Sequence, residues 1–303
     1  DDVRRFFGKD IGELTLHDDA PTRGEESELA ALGRRLFWDP PGMMETVVNL
    51  LRERRQLIFY GPPGTGKTFV ARELAKYLMG GDEPAFLQFH PSYAYEDFFE
   101  GYRPVPDGNG GMPQFRLVPG PLKTLAETAC RNPLRDIILV IDEINRGNLA
   151  KIFGELYFLL EYRDEHIRLQ YGGQPFSLPE NLLIIGTMNT ADRSISHIDA
   201  ALRRRFHFFP LFPDKKPIQG LLRRYLKSTH PALERVADLV DQANKQLGSD
   251  GHDLIGHSYF IREDLDKWVE LIWSHSIMPL IEDRFIDEPD KIKLFQDMLR
   301  SWQ

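Results

Sequence analysis

One eight-residue run limits the possible folds of this chain more than any other feature. It reads Gly61-Pro62-Pro63-Gly64-Thr65-Gly66-Lys67-Thr68 and matches the phosphate-binding loop pattern, a glycine and four residues followed by Gly-Lys-Thr. The apolar run 57–60 before it predicts a short buried strand, and the spacing of apolar residues over 69–79 predicts a helix after it. A loop between a strand and a helix directs backbone N–H groups and the positive helix end toward phosphates. The segment from Gly61 to Phe69 is therefore the predicted nucleotide-binding segment.

A pair of acids supplies the chemistry that such a loop needs. The apolar strand predicted at 137–141 ends in Asp142 and Glu143. Beside a phosphate loop, Asp142 and the Thr68 hydroxyl are expected to hold Mg²⁺, Lys67 to contact the β- and γ-phosphates, and Glu143 to orient the attacking water. Alone, the acid pair is equally typical of a solvated acidic turn, but its combination with the loop favours catalysis.

Composition sets wide limits on function. The chain has 303 residues, of which 42% are hydrophobic and 28% charged, as in ordinary globular proteins. Its net charge of −8 gives no sign of nucleic-acid binding through bulk charge. The single Cys130 excludes an internal disulfide, and the sequence contains neither a membrane-length apolar run nor a secretory signal, so we expect a cytoplasmic protein. Because the first residue is not Met, we expect a fragment of a longer polypeptide, in which any N-terminal recognition module lies outside this sequence.

The order of patterns along the chain predicts an α/β fold. Strand candidates alternate with helical patterns, which predicts a five-stranded parallel sheet flanked by helices; they lie at 57–60, 85–89, 137–141, 182–187 and 206–209. We expect three regions: an N-terminal linker with a helical lead-in at 1–41, a nucleotide-binding domain at 42–212, and an all-helical lid domain at 213–303. The nucleotide-binding domain contains an insertion at about 91–121, rich in Gly, Pro and aromatic residues, with 108–111 as a hairpin or loop tip.

Two further motifs are candidates for the site. Asn189 follows the strand 182–187, where it can hold the lytic water or sense the γ-phosphate, although Asn at a strand end is also an ordinary turn former. The run Arg203-Arg204-Arg205 ends a predicted helix before an edge strand. It is either a solvated helix end or the source of an arginine finger for a neighbouring subunit, with Arg204 and Arg205 favoured over Arg203.

These motifs in this order, followed by a helical domain, resemble the AAA+ ATPase superfamily. From about Gln56 onward, the chain is more closely similar to the motor subunits of McrBC-type, modification-dependent restriction systems. The strings that carry this resemblance are QFHPSYAYEDF at 88–98, GYRP at 101–104, IDEINR at 141–146, MNTADRS at 188–194, ALRRRF at 201–206 and GHSYF at 256–260. The strings at 188–194 and 256–260 are the specific ones, because the loop and the acid pair indicate only a nucleoside triphosphatase.

The resemblance implies a function that composition does not reveal. Motors of this family form hexameric rings with nucleotide between subunits, prefer GTP to ATP, and work with an McrC-like nuclease subunit and a separate DNA-recognition domain. It implies a ring motor that couples GTP hydrolysis to DNA translocation and cleavage by the partner. When the family's site residues are matched to this sequence by position, the resemblance implies that Asn189 is a sensor and that the string from Asn189 to Asp192 lies at the nucleotide. The alternative is an ATP-dependent, MoxR-like AAA+ remodelling chaperone, since those relatives share the insertion and the Asp-Glu-Ile-Asn-Arg string.

Three residues stay open at this point. No clear second-sensor arginine is visible in the helical domain, where Arg262 is the nearest candidate. His257 either approaches the nucleotide or is a polar turn residue at a helix start. Asp39 can accept from the guanine N1–H and N2–H groups, cap the helix that begins near Met43, or lie in solvent, and the last two are favoured.

Overall fold

The computed structural model describes residues 27–106, 113–191, 200–248 and 253–302. The chain forms two compact units. The first, here called the sheet unit, comprises Thr46–Tyr60 and Lys67–Pro210. The second, the helical unit, contains Gly61–Gly66 together with the described residues before Thr46 and after Pro210. The phosphate-loop glycines therefore group with the helical unit, whereas Lys67 and Thr68 group with the sheet unit.

The sheet unit is built on five strands in the order β2-β5-β8-β1-β9. In chain order they are β1 (Gln56–Gly61), β2 (Ala85–Gln88), β5 (Ile137–Asp142), β8 (Leu182–Asn189) and β9 (His207–Pro210). The strands are parallel, and the inner strands β1, β5 and β8 are almost entirely buried runs of Leu, Ile, Val and Phe. Continuous apolar strands of this kind are typical of a parallel sheet covered on both faces. The predicted α/β fold class is confirmed.

Helices precede β1 and lie between the later strands. They are α1 (Glu28–Arg35), α2 (Met43–Arg54), α3 (Lys67–Leu78), α4 (Tyr95–Phe98), α5 (Pro121–Arg131), α6 (Leu149–Phe153), α7 (Leu156–Glu161) and α8 (Ala200–Arg205). Helix α6 follows a short 3₁₀ turn, Ile144–Arg146, and is capped by Asn148, whose Oδ1 accepts from the Lys151 N–H at 3.1 Å. This cap fixes the start of α6, which the 3₁₀ turn separates from the acid pair.

Two small hairpins project from the sheet unit. The first pairs β3 (Glu100–Val105) with β4 (Gln114–Pro119) inside the predicted insertion, whose tip at 108–111 lies outside the described residues. The second pairs β6 (Ile167–Arg168) with β7 (Pro175–Phe176) and is not predicted by the sequence, because strands of two residues show no alternation.

Three carboxylates hold the turn of the second hairpin, an arrangement here called the hairpin clasp. The N–H of Gln170 donates to Glu155 Oε1 at 3.0 Å, the hydroxyl of Tyr171 to Glu96 at 2.7 Å, and the N–H of Gly172 to Glu100 at 3.0 Å. Since Glu96 precedes β3 and Glu100 is the first residue of β3, the clasp joins the start of the first hairpin to the turn of the second.

The helical unit has its own core of aliphatic and aromatic side chains. Its main helices after residue 210 are α9 (Leu221–Thr229), α10 (Arg235–Leu247), α11 (Val269–Ile272), α12 (Met278–Arg284) and α13 (Pro289–Trp302), with a π-helical turn at Trp273–Ile277. Over 211–248 and 253–302 it contains no strand, as the helical periodicity predicts. None of the helices in the described ranges combines the length and apolarity needed to cross a membrane.

Candidate active site

The carboxyl ends of β5 and β8 bring Asp142, Glu143 and Asn189 together. These strands are neighbours in the sheet, and their last paired residues are Ile141 and Gly186. The next residue on each strand is polar, Asp142 on β5 and Thr187 on β8. Parallel register thus places the acid pair beside the end of β8. We call Thr68, Asp142, Glu143, Thr187 and Asn189 the strand-end cluster.

Asp142 is the centre of this cluster. Its Oδ1 accepts hydrogen bonds from Thr68 Oγ1 and from Thr187 Oγ1, each at 2.6 Å. A hydroxyl and a carboxylate are hard oxygen donors of the kind that Mg²⁺ uses in phosphate-processing sites, where water and substrate complete its shell. The two residues predicted to hold Mg²⁺ are adjacent, and their chemistry fits that ion.

Glu143 adopts a strained backbone conformation. Its φ of 53° and ψ of 44° lie in the left-handed region, which costs a non-glycine residue roughly 1–3 kcal/mol and is maintained only by surrounding contacts. Asn189 Nδ2 donates to Glu143 Oε1, and Arg146 Nε lies 3.4 Å from Oε2. Asn189 is the last residue of β8 and holds the acid, so it does not act as a turn former here.

Lys67 is the first residue of α3 and is buried. Burial lowers the pKa of its ammonium group to about 8, while the nearby charges of Glu143 and Asp142 oppose that change. Since this pKa stays above neutrality, Lys67 is mostly cationic at pH 7. A desolvated cation beside two acids is suited to bind the oxygens of a phosphate chain.

The helical unit packs a short segment tightly against the phosphate loop. Ser258 N–H donates to the Gly64 carbonyl at 2.9 Å, and a Cβ built on Gly64 would lie 2.6 Å from the ring of Tyr259. A Cβ on Gly66 would lie 3.5 Å from His257 Nε2. His257 is buried and belongs to the turn His257–Phe260. The GHSYF string therefore lies against the loop, and His257 lies beside its last glycine.

Comparison with known proteins identifies two domains in this order. The family model for the AAA domain, dynein-related subfamily, matches residues 56–206, and the model for the McrB alpha-helical lid domain matches residues 235–293. The Type IV methyl-directed restriction enzyme EcoKMcrB subunit of Escherichia coli (strain K12) is 39% identical over 276 residues, which is 83% of this chain. The chain belongs to the McrB-type AAA+ family. The match to the McrB lid supports this family over the MoxR-like alternative.

Other relatives of this McrB-type chain are more distant. The Type II restriction enzyme BsuMI component YdiS of Bacillus subtilis (strain 168) is 27% identical over 279 residues, covering 78% of this chain and 80% of that protein. A solved putative ATPase from Cytophaga hutchinsonii is 16% identical, covers 68% of this chain and 61% of its own, and has a TM-score of 0.38. The family assignment does not depend on that structure. The chain spans 58% of the length of the E. coli relative.

The two favoured arginines of this McrB-type chain differ in their surroundings. Arg205 forms an ion pair with Glu161 at 2.9 Å, places its guanidinium over the ring of Tyr157, and has a side chain only 14% exposed. Arg204 is exposed, while its carbonyl accepts from Arg54 Nη1. Arg205 is therefore held by residues of its own chain, whereas the Arg204 side chain is exposed.

Two other predicted residues belong to the helical unit, and one lies outside the described ranges. Asp192 belongs to the residues that the structure does not describe. Arg262 pairs with Asp264 at 2.7 Å and stacks on Trp268 within the helical unit. Asp39 is exposed, and the first N–H groups of α2 donate to the carbonyls of Pro40 and Pro41 rather than to its side chain.

Sequence reasoning missed one member of the cluster, Thr187. It is buried and contacts both acids, yet a threonine inside a strand is an ordinary β-former and carries no motif. The available signal was its position two residues before Asn189, since alternate residues of a strand share a face.

Proposed function

We propose that this chain is the motor subunit of a restriction system, a ring-forming GTPase that couples turnover to DNA translocation and to cleavage by a partner nuclease. The observation that carries the proposal is the strand-end cluster, in which two hydroxyls, two acids and an amide meet at the ends of β5 and β8, together with the buried Lys67 beside the acids. That set contains the groups that a single chain contributes to phosphoryl transfer to water. The McrB lid match supports the assignment to a restriction motor.

Each residue of the site then has a role. Residues from Gly61 to Phe69 bind the phosphate chain, with Lys67 on its terminal oxygens. Thr68 and Asp142 would hold Mg²⁺, which when bound would neutralise negative charge on the phosphate chain. Glu143 orients the attacking water and accepts its proton, and Asn189 holds the Glu143 carboxylate in place. We also assign Asp192 and His257 to the nucleotide, His257 because it lies beside Gly66.

Assembly of several subunits supplies one further group, an arginine. We propose that subunits form a ring, a hexamer by analogy with the family, so that an arginine of one subunit reaches the phosphates bound by its neighbour. Exposed Arg204 is the first candidate for that arginine, and Arg205 the second. The nuclease activity belongs to an McrC-like partner and DNA recognition to a separate domain. These two proposals are supported by the E. coli relative, whose name describes a subunit of a methyl-directed restriction enzyme.

The test is steady-state hydrolysis of GTP and ATP, measured in parallel with Mg²⁺ at several protein concentrations. We expect a preference for GTP and a turnover per subunit that rises steeply with concentration, because the site needs a second subunit. Lys67→Ala and excess EDTA are the controls and should both abolish turnover. A preference for ATP would contradict the proposed GTPase and favour a remodelling ATPase, and the absence of turnover with either nucleotide would contradict a motor.

A further inference from the structure

The hydroxyl of Thr187 connects the two acids of the strand-end cluster. Thr187 is 2% exposed, so bulk water cannot satisfy this hydroxyl. Its Oγ1 lies 2.6 Å from Asp142 Oδ1 and 3.3 Å from the backbone nitrogen of Glu143. None of the roles assigned above uses this side chain.

Hydrogen-bond chemistry fixes the direction of both contacts. A threonine hydroxyl has a single hydrogen to donate, and an ionised carboxylate only accepts. Thr187 therefore donates to Asp142, and its lone pair accepts from the Glu143 N–H. One atom is thus bonded to the metal-binding acid and to the backbone of the water-orienting acid.

The backbone of Glu143 makes the second contact important. Its left-handed conformation is unfavourable and must be held by its neighbours. Thr187 holds the Glu143 N–H, and Asn189, two residues further along β8, holds the Glu143 carboxylate. Strand β8 therefore holds both the backbone and the carboxylate of Glu143. Thr187 also links the backbone conformation of Glu143 to the position of Asp142.

We infer that Thr187 is a positioning residue that sets the relative orientation of Asp142 and Glu143, and through Asp142 the affinity of the site for Mg²⁺. The inference rests on the proposed nucleotide hydrolysis and adds to it a residue that acts through the two acids. Partners of metal ligands that orient them typically change metal affinity or activity by 10–100-fold when they are removed.

The experiment compares Thr187→Val, which keeps the shape and removes the hydroxyl, with Thr187→Ser, which keeps the hydroxyl. The first readout is the affinity for non-hydrolysable GTP and ATP analogues with and without Mg²⁺. We expect Thr187→Val to lower the gain in affinity that Mg²⁺ provides by roughly 10–100-fold, while affinity in EDTA changes less than about threefold. Turnover should fall to a similar extent, and Thr187→Ser should retain both properties.

Thr128→Val is the matched control, because the Thr128 hydroxyl bonds only locally, to the Thr124 carbonyl at 2.9 Å on the surface of α5. A Thr187→Val protein with normal Mg²⁺ coupling and turnover overturns the inference. If Thr187→Val does not fold, Thr187→Ala is measured in its place, and failure of both to fold shows a structural role and also overturns it. Wild-type protein that binds no nucleotide contradicts the proposed function itself, so the two failures are distinguishable.

Discussion

The sheet unit contains two groups of carboxylates that are stabilised in different ways. In the strand-end cluster, Asp142 accepts from two neutral hydroxyls, and Glu143 accepts from the neutral amide of Asn189. In the hairpin clasp, the fully buried Glu100 has an ammonium partner, Lys123, whose Nζ lies 2.5 Å away.

The different partners suit different roles for the two groups, a chemical role for the strand-end cluster and a structural role for the hairpin clasp. Neutral hydroxyls orient Asp142 through hydrogen bonds, while the nearby Lys67 ammonium interacts with both acids through its charge. The lysine beside Glu100 cancels the charge instead, which suits a buried structural tie. Arg146 does approach Glu143, but its side chain is 43% exposed, and solvent screening weakens this pair.

The prediction with the largest expected effect asks whether hydrolysis at the strand-end cluster needs an arginine from a neighbouring subunit. Arg204→Ala should lower turnover by roughly 10³–10⁵-fold, the range for an arginine finger. Mixing it with Lys67→Ala subunits should restore part of the activity, because each variant supplies what the other lacks. Arg205→Ala should instead weaken folding through loss of the Glu161 pair. If no mixing ratio gives rescue, Arg204 does not act in trans.

The next prediction contrasts one Glu→Gln change in each group. Glu143→Gln should lower turnover by about 10²–10⁴-fold, because the amide cannot accept a proton, with nucleotide affinity nearly unchanged. Glu155→Gln in the hairpin clasp is the matched control, and its turnover should stay within a few fold of the wild type. Single-turnover hydrolysis and equilibrium binding measure the two effects. Retained turnover in Glu143→Gln would remove Glu143 from the role of base.

The third prediction concerns the structural carboxylate. Glu100→Gln should lower the free energy of unfolding by about 2 kcal/mol, less than for a fully buried pair, because Lys123 is 22% exposed. Adding Lys123→Met should recover most of this loss, since no unpaired charge then remains. Urea denaturation of the three proteins provides the measurement. Equal stability of all three would show that the ion pair contributes nothing.

The smallest predicted effect concerns the stability of helix α6, which lies in sequence between the two groups of carboxylates. Asn148→Ala removes the cap of α6, which should lower the free energy of unfolding by about 1 kcal/mol. Asn148→Asp keeps the acceptor and serves as the control, with stability close to the wild type. The same denaturation assay applies, and a loss shared by both variants would mean that the cap is not its cause.

Much of the fold is visible in the sequence, because buried parallel strands are continuous apolar runs. The five sheet strands lie within two residues of their predicted positions. Strand β8 extends to Asn189, past the predicted end at 187, since the polar residues at its tip continue the extended backbone. Helix α3 begins at Lys67 rather than at 69, because its first turn is occupied by polar residues that periodicity does not count.

The site is only partly encoded in local patterns. The adjacency of Thr68 and Asp142 follows from motifs with fixed spacing, and the structure brings them together. The different surroundings of Arg204 and Arg205 follow from Glu161, which is distant in sequence, so identical neighbouring residues could not be ranked beforehand. Thr187 was missed because its function depends on strand register.

The contact between the phosphate loop and the GHSYF string has an evolutionary consequence. A Cβ on Gly256 would lie 2.1 Å from the carbonyl group of Gly64, and Gly64 itself has a φ of +75° and faces the ring of Tyr259. Neither glycine tolerates a side chain while the other segment keeps its place. The two positions, far apart in the gene, are therefore expected to drift only as a linked pair, and a descendant that changes one must rebuild the other.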